Sequence, residues 1–353
     1  MKKFDYCALG LMGALVVGLV ASAVHAPVTG VTLAPRAALD GSAWMPIAPR
    51  VVPAPAPVAE AIAPVPTLIS APVTEPAVPT VKFVFSQFAE VGYDLGAVFN
   101  GEDRVPRLLL ASIPADIKDI RETKVRKAIF FQTVLPLVLQ ANEEIAADRE
   151  RLWKIRVDRA LGKKIGAIDR LWMTMLSEKY SVERGDLDEL IARVDVVPPS
   201  LALAQAAEES GWGTSRFVRE GNAIFGQWTF KAAQGLKPKA RDAGKKHRVR
   251  AFDSLLDSVR AYVRNLNTHR AYREFRKKRA EMRRDGKPVD GVQLAMTLTS
   301  YSERGKDYVV TLRRIMGANT LHKLDGARLR DDEARMIDNA AQSAAPKIEE
   351  TDT

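Results

Sequence analysis

Pro198-Pro199-Ser200-Leu201-Ala202-Leu203-Ala204-Gln205-Ala206-Ala207-Glu208-Glu209-Ser210-Gly211-Trp212-Gly213-Thr214-Ser215 sets the reading of the chain, with Gly221-Asn222-Ala223-Ile224-Phe225-Gly226 just after it. Proline fixes a helix-compatible φ at a first turn, and Ser200 is positioned to cap free amides. The spacing predicts a helix over 201–210, stopped by Gly211. Its small residues permit close packing against neighbours. A carboxylate on its last turn, in apolar surroundings, is pushed toward the protonated form and suits a general acid. Gly211 and Gly213 let backbone approach a ligand, and Trp212 offers a flat face for a sugar ring or a body for the core.

Outward from this stretch the chain reads as mainly α. Ile129, Phe130, Val134, Leu135, Val138 and Leu139 recur at helical spacing within 115–148, with Pro136 expected to kink or divide the helix. A second amphipathic helix is predicted over 167–180 through Ile168, Leu171, Trp172, Met175 and Leu176, and a third over 186–194. Helices are also predicted over 255–267, 292–299 and 308–316. Between Gly226 and Phe252, Trp228, Phe230, Val249 and Ala251 flank a Gly/Lys/Pro-rich middle, which reads as a short hairpin or long loop. No βαβ alternation or long repeat is present.

The N-terminus follows another pattern. Lys2 and Lys3 precede an apolar run, 6–24, with small residues at Ala21-Ser22-Ala23, the order of an export signal. Cleavage is expected after Ala23; an uncleaved anchor is the alternative. Twelve of the 20 prolines fall between Pro27 and Pro79, so 24–80 reads as a Pro/Ala-rich disordered linker. A helical region over 81–195, a catalytic domain over 196–325 and a flexible acidic tail over 326–353 complete the expected organisation. The one cysteine, Cys7, lies inside the signal and excludes a disulfide framework. Four histidines and one cysteine argue against a His- or Cys-rich metal centre, and no cofactor is expected.

Ala204-Gln205-Ala206, Glu209-Ser210-Gly211-Trp212-Gly213 and Ser215, followed by Asn222, Phe225 and Gly226, resemble the glucosaminidase domain of glycoside hydrolase family 73, most closely its Bax-type bacterial branch. The likeness covers roughly residues 110–320. It implies a lysozyme-like α-helical fold with a small β-hairpin lobe, hydrolysing β-1,4 bonds beside N-acetylglucosamine in peptidoglycan. By the same resemblance Glu209 is the general acid. Glu208 lies about 100° around the helix and cannot point into the same cleft. Gln205 orients the Glu209 carboxyl or is a surface amide. Asn222, Phe225 and Gly226 shape the wall. The family's tyrosine pair appears as Tyr301 and Tyr308, with Tyr301 lining the cleft and Tyr308 starting a packing helix.

One departure concerns the second carboxylate that glycosidases normally use. Many family members carry a glutamate in the hairpin lobe; here the only acid between Gly226 and Phe252 is Asp242. Asp253 reads better as a helix cap. Asp242, the substrate's own N-acetyl group, or Glu209 acting largely alone as in lytic transglycosylases are the alternatives. A non-catalytic wall-binding protein is the reading outside enzymology, and no nucleophile or zinc ligand set supports an amidase.

The formal net charge is +10. Residues 231–250 hold eight Lys/Arg against Asp242, and Arg270, Arg273, Arg276, Lys277, Lys278, Arg279, Arg283 and Arg284 form a second block. Basic surface attracts polyanions; glycan strands of peptidoglycan are the expected partner and no nucleic acid is expected. A solvated helix face is the plainer reading of the second block. A membrane would be engaged only through a retained N-terminal segment.

Overall fold

The computed structural model describes residues 79–229, 235–236 and 248–337. The expected signal, nearly all of the linker, Asp242 and residues 338–353 lie outside the described residues. Helix α1 (Val81–Glu90) starts where the Thr80 hydroxyl accepts from the Phe83 amide at 3.3 Å. Helix α2 (Leu95–Asn100) starts on Asp94, whose Oδ1 accepts from Gly96 and Ala97. Strand β1 (Leu108–Leu110) is fully buried and leads to α3 (Thr123–Ala160), which has Pro136 inside it.

Pro136 does not divide α3. An interior proline costs about 3 kcal/mol. Phe130, Val134, Leu135, Leu137 and Val138 are buried around it, each contributing roughly 1.5–3 kcal/mol. Burial therefore outweighs the lost backbone bond. The helix also runs past the predicted end at 148, and its distal part pairs with α4 (Ala167–Tyr180) through Arg151 and Asp169 at 2.6 Å. In α4, Leu176 and Tyr180 are buried, whereas Ile168, Leu171 and Met175 of the expected apolar stripe are exposed.

Helix α5 (Leu187–Arg193) precedes α6 (Pro199–Ser210), the predicted alanine-rich element. Leu201 through Ala207 are all essentially solvent-free, so α6 is a core helix contacted from several sides. It packs against α3 and against later helices. Its cap is not Ser200. The Asp325 carboxylate reaches back from 125 residues away, accepting from the Ser200 amide and from its hydroxyl, both at 2.9 Å. Gly211 ends α6 with φ +59°, as the sequence predicts.

Helix α7 (Arg216–Gly221) is followed by β2 (Trp228–Thr229), β3 (Gly235–Leu236) and β4 (Arg248–Arg250). The expected hairpin is a small antiparallel sheet of order β2-β4-β3. Helix α8 (Leu255–Thr268) is capped by Ser254, which accepts from the Asp257 amide at 3.1 Å, and not by Asp253. A serine hydroxyl one residue later fits the cap geometry, while Asp253 stays exposed.

Helix α9 (Arg273–Arg284) holds the second basic block, and the solvated-face reading fails for three of its arginines. Arg276 donates to the carbonyls of Leu266 and His269, Arg279 to those of Ala192, Asp195 and Val196, and Arg283 to the Asp195 carboxylate. These cations satisfy buried acceptors inside the fold. Helices α10 (Gly291–Ala295) and α11 (Lys306–Ala318) then pack on α6.

The expected flexible tail is in part ordered. Beyond Gly326, Leu329 and Ile337 are buried, and β5 (Arg335–Ile337) pairs in parallel with β1. An unpaired β1 would leave buried backbone groups without partners, and β5 supplies them. Residues of 81–195 and of 196–325 share one apolar core. Among the described residues no helix is long and apolar enough to cross a membrane.

Candidate active site

Gln205 and Glu209 lie one helical turn apart and share a face of α6. Glu208 points away and forms an ion pair with Arg304 at 2.5 Å, as the 100° offset requires. Arg304 is fixed in turn by Thr311, whose hydroxyl accepts from Nη2 at 2.6 Å. Glu209 is half-buried. Gly226, with φ +59°, lies alongside: a methyl group added there would sit 3.7 Å from Glu209 Oε2. Bare backbone thus borders the carboxyl. The left-handed φ favours glycine, because a side chain there is strained.

Behind Glu209 runs a chain of directed hydrogen bonds. The Tyr262 hydroxyl donates to Gln205 Oε1 at 2.7 Å, and Gln205 Nε2 donates to the Tyr308 oxygen at 3.0 Å. Gln205 is solvent-free, so both ends of its amide must be satisfied within the protein. Because the Tyr308 oxygen already accepts, its own proton is free for Glu209, and the pair is hydrogen-bonded. Phe225 stacks flat on Tyr262, centroids 3.8 Å apart. Tyr301 stacks on Tyr308 at 5.4 Å and leans on Tyr272 at 5.8 Å. Burial raises the pKa of all four tyrosines, so they remain neutral donors.

The electrostatics of Glu209 follow from these neighbours. Burial raises its pKa above the usual carboxylate range. The Tyr308 hydrogen bond opposes this, the Glu208 charge adds to it, and Arg304 opposes it. The net direction is upward, toward a carboxyl that holds its proton as pH rises. The arrangement can deliver a proton from a fixed position to an atom lying over Gly226.

The structure gathers Gln205, Glu209, Phe225, Gly226 and Tyr301 in one place. Trp212 has left-handed φ +59° and packs edge-on against Phe130 and Phe131 of α3, at 5.9 and 5.5 Å. The Lys127 ammonium lies 4.5 Å over its ring. Its contacts are those of the core reading, and a sugar-stacking role finds no support in them. Asn222 closes α7 in left-handed conformation, donating to the carbonyls of Phe252 and Asp253 and so tying the end of α7 to the segment between β4 and α8. Asp242 lies outside the described residues.

Three residues gain weight from the structure. Tyr308, read as a packing residue, is the hydroxyl partner of Glu209. Tyr262 and Tyr272 went unmarked in the sequence. Tyr262 carried a signal, since a tyrosine within the apolar stripe Leu255, Val259, Val263, Leu266 needs a buried hydroxyl partner. Tyr272 falls in an irregular connection and carried none. Among the described residues no group of three or more His, Cys, Asp or Glu sits together to hold a metal ion.

Comparison with known proteins adds two findings. The family model described as mannosyl-glycoprotein endo-beta-N-acetylglucosaminidase matches residues 186–321, a span that contains the whole tyrosine–glutamate cluster. Protein bax of Escherichia coli (strain K12) is 33% identical over 204 residues, covering 56% of this chain and 71% of that protein. No solved structure matches the chain.

Proposed function

The chain belongs to the Bax-type glucosaminidase family, and from that premise we propose that it is an endo-β-N-acetylglucosaminidase of peptidoglycan with Glu209 as its general acid. The glucosaminidase domain makes it a glycosidase-type enzyme. The observation that carries the finer reading is the placement of Glu209: a half-buried carboxyl against bare Gly226 backbone, hydrogen-bonded by Tyr308.

On this reading the glycan lies over Gly226 and Glu209 protonates the leaving glycosidic oxygen. The charge that remains on Glu209 is then stabilised by the Tyr308 hydroxyl, which Gln205 and Tyr262 hold in register. Arg304 keeps Glu208 out of the reaction. The group that handles the other face of the sugar is Asp242 or the substrate's own N-acetyl oxygen. Asp242→Asn separates them: base catalysis by Asp242 predicts a loss of about 10²–10⁴-fold, and N-acetyl assistance predicts little change. The reading also implies export to the cell envelope, with residues 1–23 as the signal; fractionation of the full-length chain tests this.

Mass spectrometry of sacculi digested with the purified protein is the deciding experiment. Products ending in reducing N-acetylglucosamine are expected. Anhydromuramic ends would make the enzyme a lytic transglycosylase on the same fold. Binding to sacculi with no soluble product would leave a wall-binding protein and end the enzymatic reading.

A further inference from the structure

A polar cavity of about 340 Å³ opens beside the tyrosine–glutamate cluster, lined by Gln227, Arg250, Ala261, Arg264, Asn265 and Thr268. Both of its walls touch the site already described. Gln227 directly follows Gly226, the residue bordering the Glu209 carboxyl. On the α8 side, Asn265 hydrogen-bonds the Tyr272 hydroxyl, and Tyr272 leans on Tyr301.

The lining holds two arginines, two amides, a hydroxyl and no acid. Arg264 is exposed and Arg250 half-buried. Among the described residues neither guanidinium has a carboxylate partner; that of Arg250 lies 4.8 Å over the Phe252 ring. This sets them apart from nearby cations. Arg260, on the same helix, is paired with Glu144 at 2.6 Å, and Lys179 with Asp148 at 3.6 Å. Unpaired arginines beside amide donors are a natural receptor for carboxylate, which the planar guanidinium binds through two parallel hydrogen bonds.

The cavity is not closed at its far end. A second cavity of about 550 Å³ shares Arg250, Ala261 and Arg264 with it and continues along α8 to Lys179 and Tyr180. Its lining adds Glu144, Asp253 and Asp257 to the cations. That mixed lining suits a chain bearing both carboxylates and an ammonium, as a peptide does. A strand stripped of its peptides keeps only the lactyl carboxylate of each muramic acid, held against the sugar ring, and offers no ammonium.

We propose that this groove is a subsite for the carboxylates of the peptide substituents on peptidoglycan strands, with Arg250 and Arg264 as its anchors. The proposal rests on the glycosidase reading above and deepens it: the enzyme prefers peptide-bearing strands to bare glycan.

The test compares wild type with Arg264→Gln, Arg250→Gln and the double variant on peptide-bearing strands and on the same strands stripped of peptide by an amidase. Arg264 is exposed, so its single variant folds even if the change in β4 disturbs the small sheet. On peptide-bearing strands kcat/KM is expected to fall about 10-fold for Arg264→Gln and up to about 100-fold for the double variant, mainly through KM. On stripped strands it is unchanged. Equal losses on both substrates, or none, overturn the subsite. Should wild type cleave neither substrate, the glycosidase reading fails and the groove is decided separately. Calorimetric titration with a soluble disaccharide-peptide and with its disaccharide then gives the answer. Tighter binding of the peptide form that vanishes in Arg264→Gln supports the subsite, and equal binding of both forms overturns it.

Discussion

Asp195 and Glu209 are both carboxylates taken largely out of water, one at the exit of α5 and one on the last turn of α6. Burial drives both toward the neutral form. At Asp195 the neighbours reverse this: Arg279, Arg283 and Arg149 surround it, and its pKa ends below the ordinary value. At Glu209 the neighbours are a phenol, a like charge and one more distant arginine, and burial prevails. Arg279 shows the other side of the first case, since burial pulls its guanidinium down to about 10 while Asp195 holds it up. The chemical group is nearly the same. What differs is whether the chain surrounds it with permanent cations or with neutral hydroxyls, and that sends the two pKa values in opposite directions.

The strongest way to break this comparison is Glu209→Gln. Activity on sacculi should fall by about 10²–10⁴-fold with no loss of stability. Because the folded pKa of Glu209 is raised, ionisation costs stability as pH rises through it. The Gln variant should therefore be more stable than wild type at high pH, by on the order of 1 kcal/mol, and equal to it below the ordinary glutamate pKa of about 4.3. Urea titrations at both ends of the range read this. A variant less stable throughout would make Glu209 a structural residue.

Asp195→Asn should do the reverse. It leaves Arg279 buried without its counter-charge, so a loss of about 3–5 kcal/mol in unfolding free energy is expected. In wild type the depressed pKa of Asp195 means that its contribution is present above the ordinary aspartate value near 3.9 and is lost as pH falls through the folded pKa. Denaturation midpoints measured downward from pH 6 should fall more steeply in wild type than in the Asn variant.

Tyr308→Phe sharpens the Glu209 half. The lost hydrogen bond had lowered the Glu209 pKa, so the alkaline limb of the kcat/KM profile should move to higher pH while kcat drops about 10-fold, within the worth of one charge-assisted hydrogen bond. An unmoved limb would mean that Tyr308 only packs. Gly226→Ala is the smallest change, costing roughly 1–2 kcal/mol from its left-handed φ. A Cβ at 3.7 Å from Oε2 is ordinary contact, so KM rather than kcat should carry any effect on turnover.

The legible part of the site was the part built from neighbours in sequence. Pro199, Gly211 and the apolar run between them set the start and stop of α6, and Glu209 with Gln205 follow from helical spacing. Tyr301 was legible through the family's tyrosine pair. Trp212 was not: whether an indole stacks on a sugar or on Phe130 depends on where α3 passes, which no local signal states. The basic block of α9 looked like a solvated face because seven of its twelve residues are Lys or Arg. Their acceptors are backbone carbonyls at the ends of α5 and α8 together with the Asp195 carboxylate, which only the packing of α9 against α5 brings within reach.

By itself the sequence determined a mainly helical chain, the glycine stop of α6 and the carboxylate on which the chemistry is proposed to turn. These are set by dihedral preference, capping and contacts within four residues, all of which are local. Only the tertiary structure decided that Asp325 caps α6 from 125 residues away, that Tyr262 and Tyr308 meet across Gln205, and that β5 completes β1. It also decided that burial prevails in raising the pKa of Glu209 while arginines lower that of Asp195. Those outcomes depend on desolvation and on partners brought together by chain closure, and both are properties of the packed molecule.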